Sequence, residues 1–210
     1  MFSAHLVFGD IDHHAGYLFS ERVRLIEAFR STCLSNKPEL NAHSFFDVDN
    51  DSVMIGFSSL EGFLSGNDVL RYVLLLYREL MKVGVSISFG VNLIACVPEI
   101  DWSTHPGILN DIRMIYMPDE DYERQGRVLR NRLIGDPLII VARILEIAKR
   151  TRNPICYALT IGGHFNDSFN HGRPLEPKIV TGWQGVIPSE HASFLIQRGI
   201  QDVYCLDANG

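Results

Sequence analysis

The stretch that most constrains the fold is the nearly uncharged segment 85–96, with the sequence VSISFGVNLIAC. β-Branched and aromatic residues recur along it, which predicts a β-strand, the clearest one in the chain. A second short apolar run, 5–11 (HLVFGDI), ends in acidic residues and also fits a buried strand. A sheet built on two such strands needs helices packed against it.

The rest of the chain supplies those helices and further strands. Amphipathic patterns and capping residues predict helices over 20–33 (capped by Ser20), from Asn67 or Asp68 to Lys82, over 136–150 and over 189–197 (capped by Ser189). Strands are predicted at 44–49 and 51–57, joined as a hairpin at Asp-Asn-Asp, and at 154–161, 179–186 and 202–206. This order predicts an α+β protein with helices packed on a mostly antiparallel sheet.

Length and composition indicate one soluble domain. The chain has 210 residues, which suits a single domain over 1–210, and segment 97–133 is predicted to be a protruding arm because Pro, Gly and charged residues dominate it. The net charge of −6 argues against a nucleic acid as the main partner. No apolar run is long enough to span a membrane, and no secretion signal precedes the first strand. Four widely spaced cysteines predict reduced core thiols in a cytoplasmic protein.

Asp10 and Asp51 are the acidic residues with the most suggestive positions. One ends the first predicted strand, and the other lies at the tip of the predicted hairpin. If these strands are neighbours, the two carboxylates converge at one end of the sheet and repel each other unless a cation lies between them. Carboxylates suit Mg²⁺ or Mn²⁺, and two such ions are suited to phosphoryl chemistry. The alternative interpretation is that both are ordinary turn residues.

Several segments resemble, in order, the motifs of class III nucleotidyl cyclases. FGDIDHH (8–14) is similar to the first metal-binding strand, DNDSVMIGF to the hairpin with the second metal ligand, and VSISFGV to the following strand. GDPLIIVARILEIAKR is similar to the helix that opens with glycine, here Gly135, and carries a catalytic arginine eight residues later. RGIQDVYCL is similar to the closing turn and last strand of that family.

This resemblance implies a palm-like fold, a homodimer, a nucleoside triphosphate substrate and two Mg²⁺ or Mn²⁺ ions. Asp10, the backbone carbonyl of Ile11, and Asp51 would be the metal ligands. Arg143 would stabilise charge on the transferring phosphate, and Arg198 would bind the triphosphate. In this family the metal ligands and the helix arginine of one site come from different subunits, which makes the 97–133 arm a candidate interface.

Three positions depart from the family pattern. Ile139 replaces the asparagine that usually precedes the helix arginine by four residues. Asp47 and Arg132 replace the residues that usually recognise a purine. Arg132 can donate to the carbonyl oxygens of uracil, and Asp47 can accept from its N3–H. The resemblance is therefore nearest in kind to the pyrimidine cyclases of bacterial anti-phage defence, with UTP, or else CTP, as substrate.

Two other functions remain open at this point. FGDIDHH and VSISFGV also resemble diguanylate cyclases and minimal CRISPR polymerases, which would make a dinucleotide, although the Gly-Gly-Asp signature of the former is missing. A degenerate cyclase domain that binds nucleotide without turnover is the other alternative, and Ile139 is the residue that favours it. Asp10, Asp51, Arg143 and Arg198 argue against it.

Overall fold

The computed structural model describes residues 2–13, 16–39, 45–59, 66–97, 136–160 and 177–206. Within these ranges the strands are β1 (Phe2–Ile11), β2 (Phe45–Asp49), β3 (Ser52–Ser59), β4 (Ile87–Val97), β5 (Ile155–Thr160), β6 (Lys178–Ile179) and β7 (Tyr204–Cys205). The helices are α1 (Phe19–Ser35), α2 (Gly66–Lys82), α3 (Asp136–Thr151) and α4 (Ser189–Gln197), with a short 3-10 helix at Trp183–Gly185.

The described strands form one seven-stranded sheet in the order β2-β3-β1-β4-β5-β7-β6. All neighbouring pairs are antiparallel except β4 and β5, which run parallel and are connected in the chain through α3. The two apolar runs found in the sequence, β1 and β4, are adjacent at the centre of the sheet. The predicted α+β architecture with a mostly antiparallel sheet is therefore confirmed.

The helices lie on two opposite faces of the sheet. Val7, Val53 and Phe89 face a core that contains residues of α1 and α2. Alternate residues of a strand point to opposite faces, so Phe8 and Gly90 belong to the other face. There α3 lies over β4, β1 and β5, and the same helix shares a second core with α4, β5 and β7.

The contact between α3 and β4 is unusually close because it is made by backbone. A Cβ atom at Gly90 would lie 2.5 Å from the carbonyl oxygen of Val141 and 2.5 Å from the amide nitrogen of Leu145. Only a residue without a side chain allows a helix to approach a strand at this distance. Gly90 therefore fixes the height of α3 above the sheet.

Several local predictions are wrong. Of the predicted strand 179–186, only Ile179 lies in a strand, because the left-handed Gly182 (φ 70°) turns the chain and Trp183 is buried, donating from Nε1 to the carbonyl oxygen of Gln201 (3.2 Å). The predicted capping residues lie inside their helices, since α1 begins at Phe19, α2 at Gly66 and α4 at Ser189 itself. At α1, the Glu21 carboxylate accepts from the backbone N–H of Leu18 instead (3.1 Å).

The predicted arm lies, except for Val97, outside the described residues. None of the described helices is long and apolar enough to cross a membrane. Cys33, Cys156 and Cys205 are buried, as expected for core thiols, and burial raises the pKa of Cys33 and of Cys156 to about 12.

The close approach at Gly90 gives a test of the fold. Gly90→Ala should lower the free energy of unfolding by about 3 kcal/mol, because the new methyl group overlaps helix backbone that cannot move independently. Gly185→Ala is the matched control, since a Cβ there meets no atom of the described structure within 4 Å. Denaturant unfolding of the three proteins measures the difference, and equal stability of the two variants would contradict direct backbone packing.

Candidate active site

Asp10 lies at the end of β1, on the face of the sheet that carries α3. It is paired across the sheet with Ser52 on β3 and Ser88 on β4, so small hydroxyl side chains flank the carboxylate on both sides. The strand ends one residue later, at Ile11, and the chain then turns through His13, whose φ of 54° is left-handed. The side chain of Asp10 is 26% exposed. The carboxylate is thus reachable from solvent and held at a fixed point of the sheet.

Asp12 also lies at this end of the sheet, although the sequence did not predict it as a site residue. The Ser88 hydroxyl donates to its Oδ1 (2.8 Å), and the Ser86 hydroxyl donates to its Oδ2 (3.1 Å). Its backbone N–H donates to the carbonyl oxygen of Ser86 (2.9 Å). These bonds fasten the end of β1 to the start of β4. The Asp-Ile-Asp spacing was the available signal, because residues two apart in a strand share a face.

Asp51 is brought to the end of β1 by the hairpin between β2 and β3. The hairpin turns at Asn50 and Asp51, and Asn50 takes a left-handed φ of 45°, which asparagine tolerates well. The carbonyl oxygen of Asp51 accepts from the backbone N–H of Ile11 (2.9 Å). The three residues predicted as metal ligands therefore occupy adjacent positions on two neighbouring strands.

A lysine from α3 reaches Asp10. The Lys149 ammonium forms an ion pair and hydrogen bond with Oδ2 of Asp10, and its side chain is 32% exposed. Lys149 follows Val141 and Leu145 at four-residue spacing, so it continues the stripe of α3 that rests on Gly90. The sequence did not predict this contact. The stripe of residues at four-residue spacing points to Asp10 only when the helix is known to lie along β4 and β1.

Arg143 points in a different direction from Lys149. The two residues are six apart, which separates them by about 9 Å along the helix and about 120° around it. The guanidinium of Arg143 lies 3.5 Å from Oε2 of Glu146, and their side chains are 34% and 21% exposed. Within one subunit, the cationic partner of Asp10 is thus Lys149, while Arg143 belongs to another face of α3.

Glu146 is the centre of a charge cluster that joins α3 to α4. Its Oε1 accepts from Nε of Arg150 (3.1 Å) and lies 2.9 Å from a second nitrogen of that guanidinium. Its Oε2 lies 2.9 Å from Nδ1 of His191 on α4, in addition to the contact with Arg143. One carboxylate therefore restrains the arginine side chain that the sequence singled out and fixes the neighbouring helix.

The remaining predicted residues have separate surroundings. Asp47 is exposed on β2, and its register with Met54, which pairs with Phe8, places it on the α3 side of the sheet. Strand spacing puts its backbone roughly 12 Å from that of Asp10. Arg198 ends α4, with its guanidinium 4.3 Å from the ring centre of Phe194, and it donates to Oε1 of Gln197 (3.4 Å).

Ile139, at the position where an asparagine is usual, is 40% exposed on α3. Arg132 and Gly135 lie outside the described residues.

The oxygen atoms around Asp10 fit a hard divalent cation. Mg²⁺ and Mn²⁺ prefer carboxylate and carbonyl oxygens, and Mg²⁺ in nucleotide sites takes only one or two carboxylates beside the substrate phosphates. Asp10 already faces a cation, the ammonium of Lys149. In the described part of the chain, no group of three or more His, Cys, Asp or Glu side chains forms a site that protein ligands alone would complete.

Comparisons with known proteins support the fold. No protein-family model and no curated protein sequence matches the chain. The structure of a bacterial light-regulated adenylyl cyclase is similar with a TM-score of 0.51 and 12% identity, over 98% of this chain and 51% of that one. An EAL/GGDEF domain protein from M. capsulatus gives a TM-score of 0.29 and 15% identity, over 62% of this chain and 82% of that one.

The chain thus spans about half the length of the adenylyl cyclase structure. Its identity to that protein is too low to transfer an activity, but the agreement in architecture shows a palm fold of the class III cyclase type.

The cluster around Glu146 predicts a measurable effect on stability. Glu146→Gln should lower the free energy of unfolding by about 1 kcal/mol, because two guanidinium groups and the His191 ring lose one shared carboxylate. Glu79→Gln is the matched control, since Glu79 carries one exposed pair, with Lys82 on α2, and its loss should cost less than about 0.5 kcal/mol. Urea unfolding compares them, and an equal cost for the two substitutions would show that the cluster adds nothing beyond a surface pair.

Proposed function

We propose that this chain is a nucleotide cyclase, a lyase that converts a nucleoside triphosphate into a 3′,5′-cyclic nucleotide and pyrophosphate. The observation that carries the proposal is the position of Asp10 at the end of β1, beside the hairpin turn that contains Asp51, in a class III cyclase-like palm. Such an acidic pair, next to an oxygen-rich turn, is suited to hold divalent ions together with a triphosphate.

In the proposed reaction, the 3′-hydroxyl oxygen attacks the α-phosphorus and the bond to the bridging oxygen of the β-phosphate breaks. Pyrophosphate leaves, and the hydroxyl proton passes to solvent. Asp10, Asp51 and the carbonyl oxygen of Ile11 would hold two Mg²⁺ or Mn²⁺ ions, which when bound polarise the attacking oxygen and steady the leaving phosphate. Arg143 would stabilise the charge that develops on the α-phosphate, and Arg198 would bind the triphosphate.

The direction of Arg143 supports the proposal of a homodimer. Its guanidinium lies about a third of a turn around α3 from the side that reaches Asp10, so the arginine of one subunit is better placed to serve the carboxylates of another. In a twofold dimer, each site would then take Asp10 and Asp51 from one subunit and Arg143 from its partner. The arm at 97–133 is the proposed additional interface.

The base is proposed to be uracil, with cytosine as the alternative. Asp47 is exposed on the same face of the sheet as Asp10, about a nucleotide's length away, which is where a base would lie with its phosphates at Asp10. A carboxylate there can accept from N3–H of uracil, whereas N3 of cytosine is itself an acceptor. With Arg132 as a donor to the carbonyl oxygens, the site would make cyclic UMP, and a role in anti-phage signalling is part of this proposal.

Incubation with equal concentrations of the four triphosphates and Mn²⁺, followed by mass spectrometry, tests the function. We expect a cyclic mononucleotide, chiefly cyclic UMP, and a loss of at least about 100-fold in Asp10→Asn and in Asp51→Asn, because each removes a metal ligand. Glu27→Gln, on exposed α1, is the control and should keep full activity. A dinucleotide product would instead indicate a diguanylate-cyclase-like or CRISPR-polymerase-like enzyme, and no product from any triphosphate would indicate a degenerate binding domain.

Mixing two inactive variants tests the shared site. Asp51→Asn and Arg143→Ala subunits should form hybrids in which one of the two sites regains every group, so an equal mixture should recover about one quarter of the wild-type activity. Each variant alone, treated in the same way, is the control. Absence of recovery in a mixture whose heterodimers are demonstrated by native mass spectrometry would place all catalytic groups in one subunit.

A further inference from the structure

Lys149 occupies a position that the proposed chemistry does not use. It lies in the last turn of α3, and its ammonium is paired with Oδ2 of Asp10, the carboxylate that would bind a metal. The fold brings Lys149 to this position, because the backbone of α3 contacts Gly90 directly one turn earlier. The helix therefore holds Lys149 over Asp10 at a height set by backbone contact.

The charges at this end of the sheet explain why a cation is needed there. Asp10 and Asp12 lie two residues apart at the end of β1, and the turn that contains Asp51 lies beside them, so negative charge collects at this end of the sheet. Asp12 has hydroxyl donors on both oxygens, from Ser86 and Ser88. Lys149 supplies the positive charge for Asp10. The ion pair thus holds the Asp10 side chain in place.

The charge of Lys149 acts in opposite ways on a free divalent ion and on a metal–triphosphate complex. The free ion carries two positive charges, is repelled by the ammonium and competes with it for the oxygens of Asp10. A metal–nucleoside triphosphate complex carries a net negative charge, so the same ammonium attracts it. The sign of the interaction with Lys149 therefore changes when the metal arrives with nucleotide.

We propose that Lys149 is a positioning residue that holds Asp10 in the empty site, disfavours the binding of free metal and so makes metal binding depend on nucleotide. This inference rests on the proposed function, because it assumes that Asp10 binds a divalent ion together with a triphosphate. Its consequence is a site that does not fill with free Mg²⁺ or Mn²⁺ and accepts the metal–substrate complex as a unit.

The test measures Mn²⁺ binding without turnover, by electron paramagnetic resonance of free Mn²⁺ at pH 7. Lys149→Met should bind Mn²⁺ at least tenfold more tightly than the wild type in the absence of nucleotide. The complex of Mn²⁺ with 3′-deoxy-UTP, which cannot cyclise, should bind Lys149→Met more weakly than the wild type. A residue with a purely structural role would weaken both kinds of binding.

Three further proteins complete the test. Lys149→Arg keeps the charge and should behave like the wild type, and Lys82→Met removes a lysine from an exposed pair on α2 and should change neither affinity. Asp10→Asn combined with Lys149→Met should lose the tight Mn²⁺ site. If Lys149→Met folds poorly, as judged by thermal unfolding, Lys149→Gln replaces it, with the same expectations.

Equal Mn²⁺ affinity in the wild type and Lys149→Met, or no Mn²⁺ binding in either, would overturn the inference. Failure of the proposed function is seen separately, as the absence of a cyclic product from any triphosphate. If Lys149→Met binds Mn²⁺ more tightly but no product forms, the metal competition stands and the cyclase activity does not.

Discussion

The arrangement of the site depends on the backbone contact between α3 and β4 at Gly90. A side chain at this position would push the helix away from the sheet, and every residue of α3 would rise with it. Because the helix is held by Val141 and Leu145, the residue one turn further, Lys149, reaches the carboxylate at the end of β1. A contact between two buried main-chain segments thus sets the distance between two charged side chains near the surface.

The side of α3 that faces α4 carries the reverse arrangement of charges. On the sheet side, one lysine meets one aspartate. On the side towards α4, a single carboxylate, Glu146, gathers Arg143, Arg150 and His191. An arginine that is restrained in this way keeps its position at low entropic cost when it meets a phosphate. The two faces of α3 therefore suit the two proposed tasks, holding Asp10 and presenting Arg143 to a phosphate.

The acidic end of the sheet is stabilised by small polar residues as well as by the lysine. Ser86 and Ser88 bind both carboxylate oxygens of Asp12, and the backbone N–H of Ile11 binds the hairpin at Asp51. These hydrogen bonds connect β1 to its two neighbours where the strands stop. The position of Asp10 is thereby fixed independently of any bound ion, which is the kind of rigid support that a metal ligand needs.

The sequence by itself determined the order and type of the main elements, because β1 and β4 are apolar runs and the three long helices have amphipathic patterns. It also selected Asp10 and Asp51, since one follows an apolar strand and the other lies at the tip of a hairpin. It misplaced a strand at 179–186, where burial of Trp183 outweighed local propensity. Only the tertiary structure decided that Lys149 meets Asp10, that Glu146 meets His191 and that Asp12 is held by two serines. The physical reason is that each of these contacts joins residues far apart in sequence, and their meeting depends on how β1, β4, α3 and α4 pack together, which no local pattern encodes.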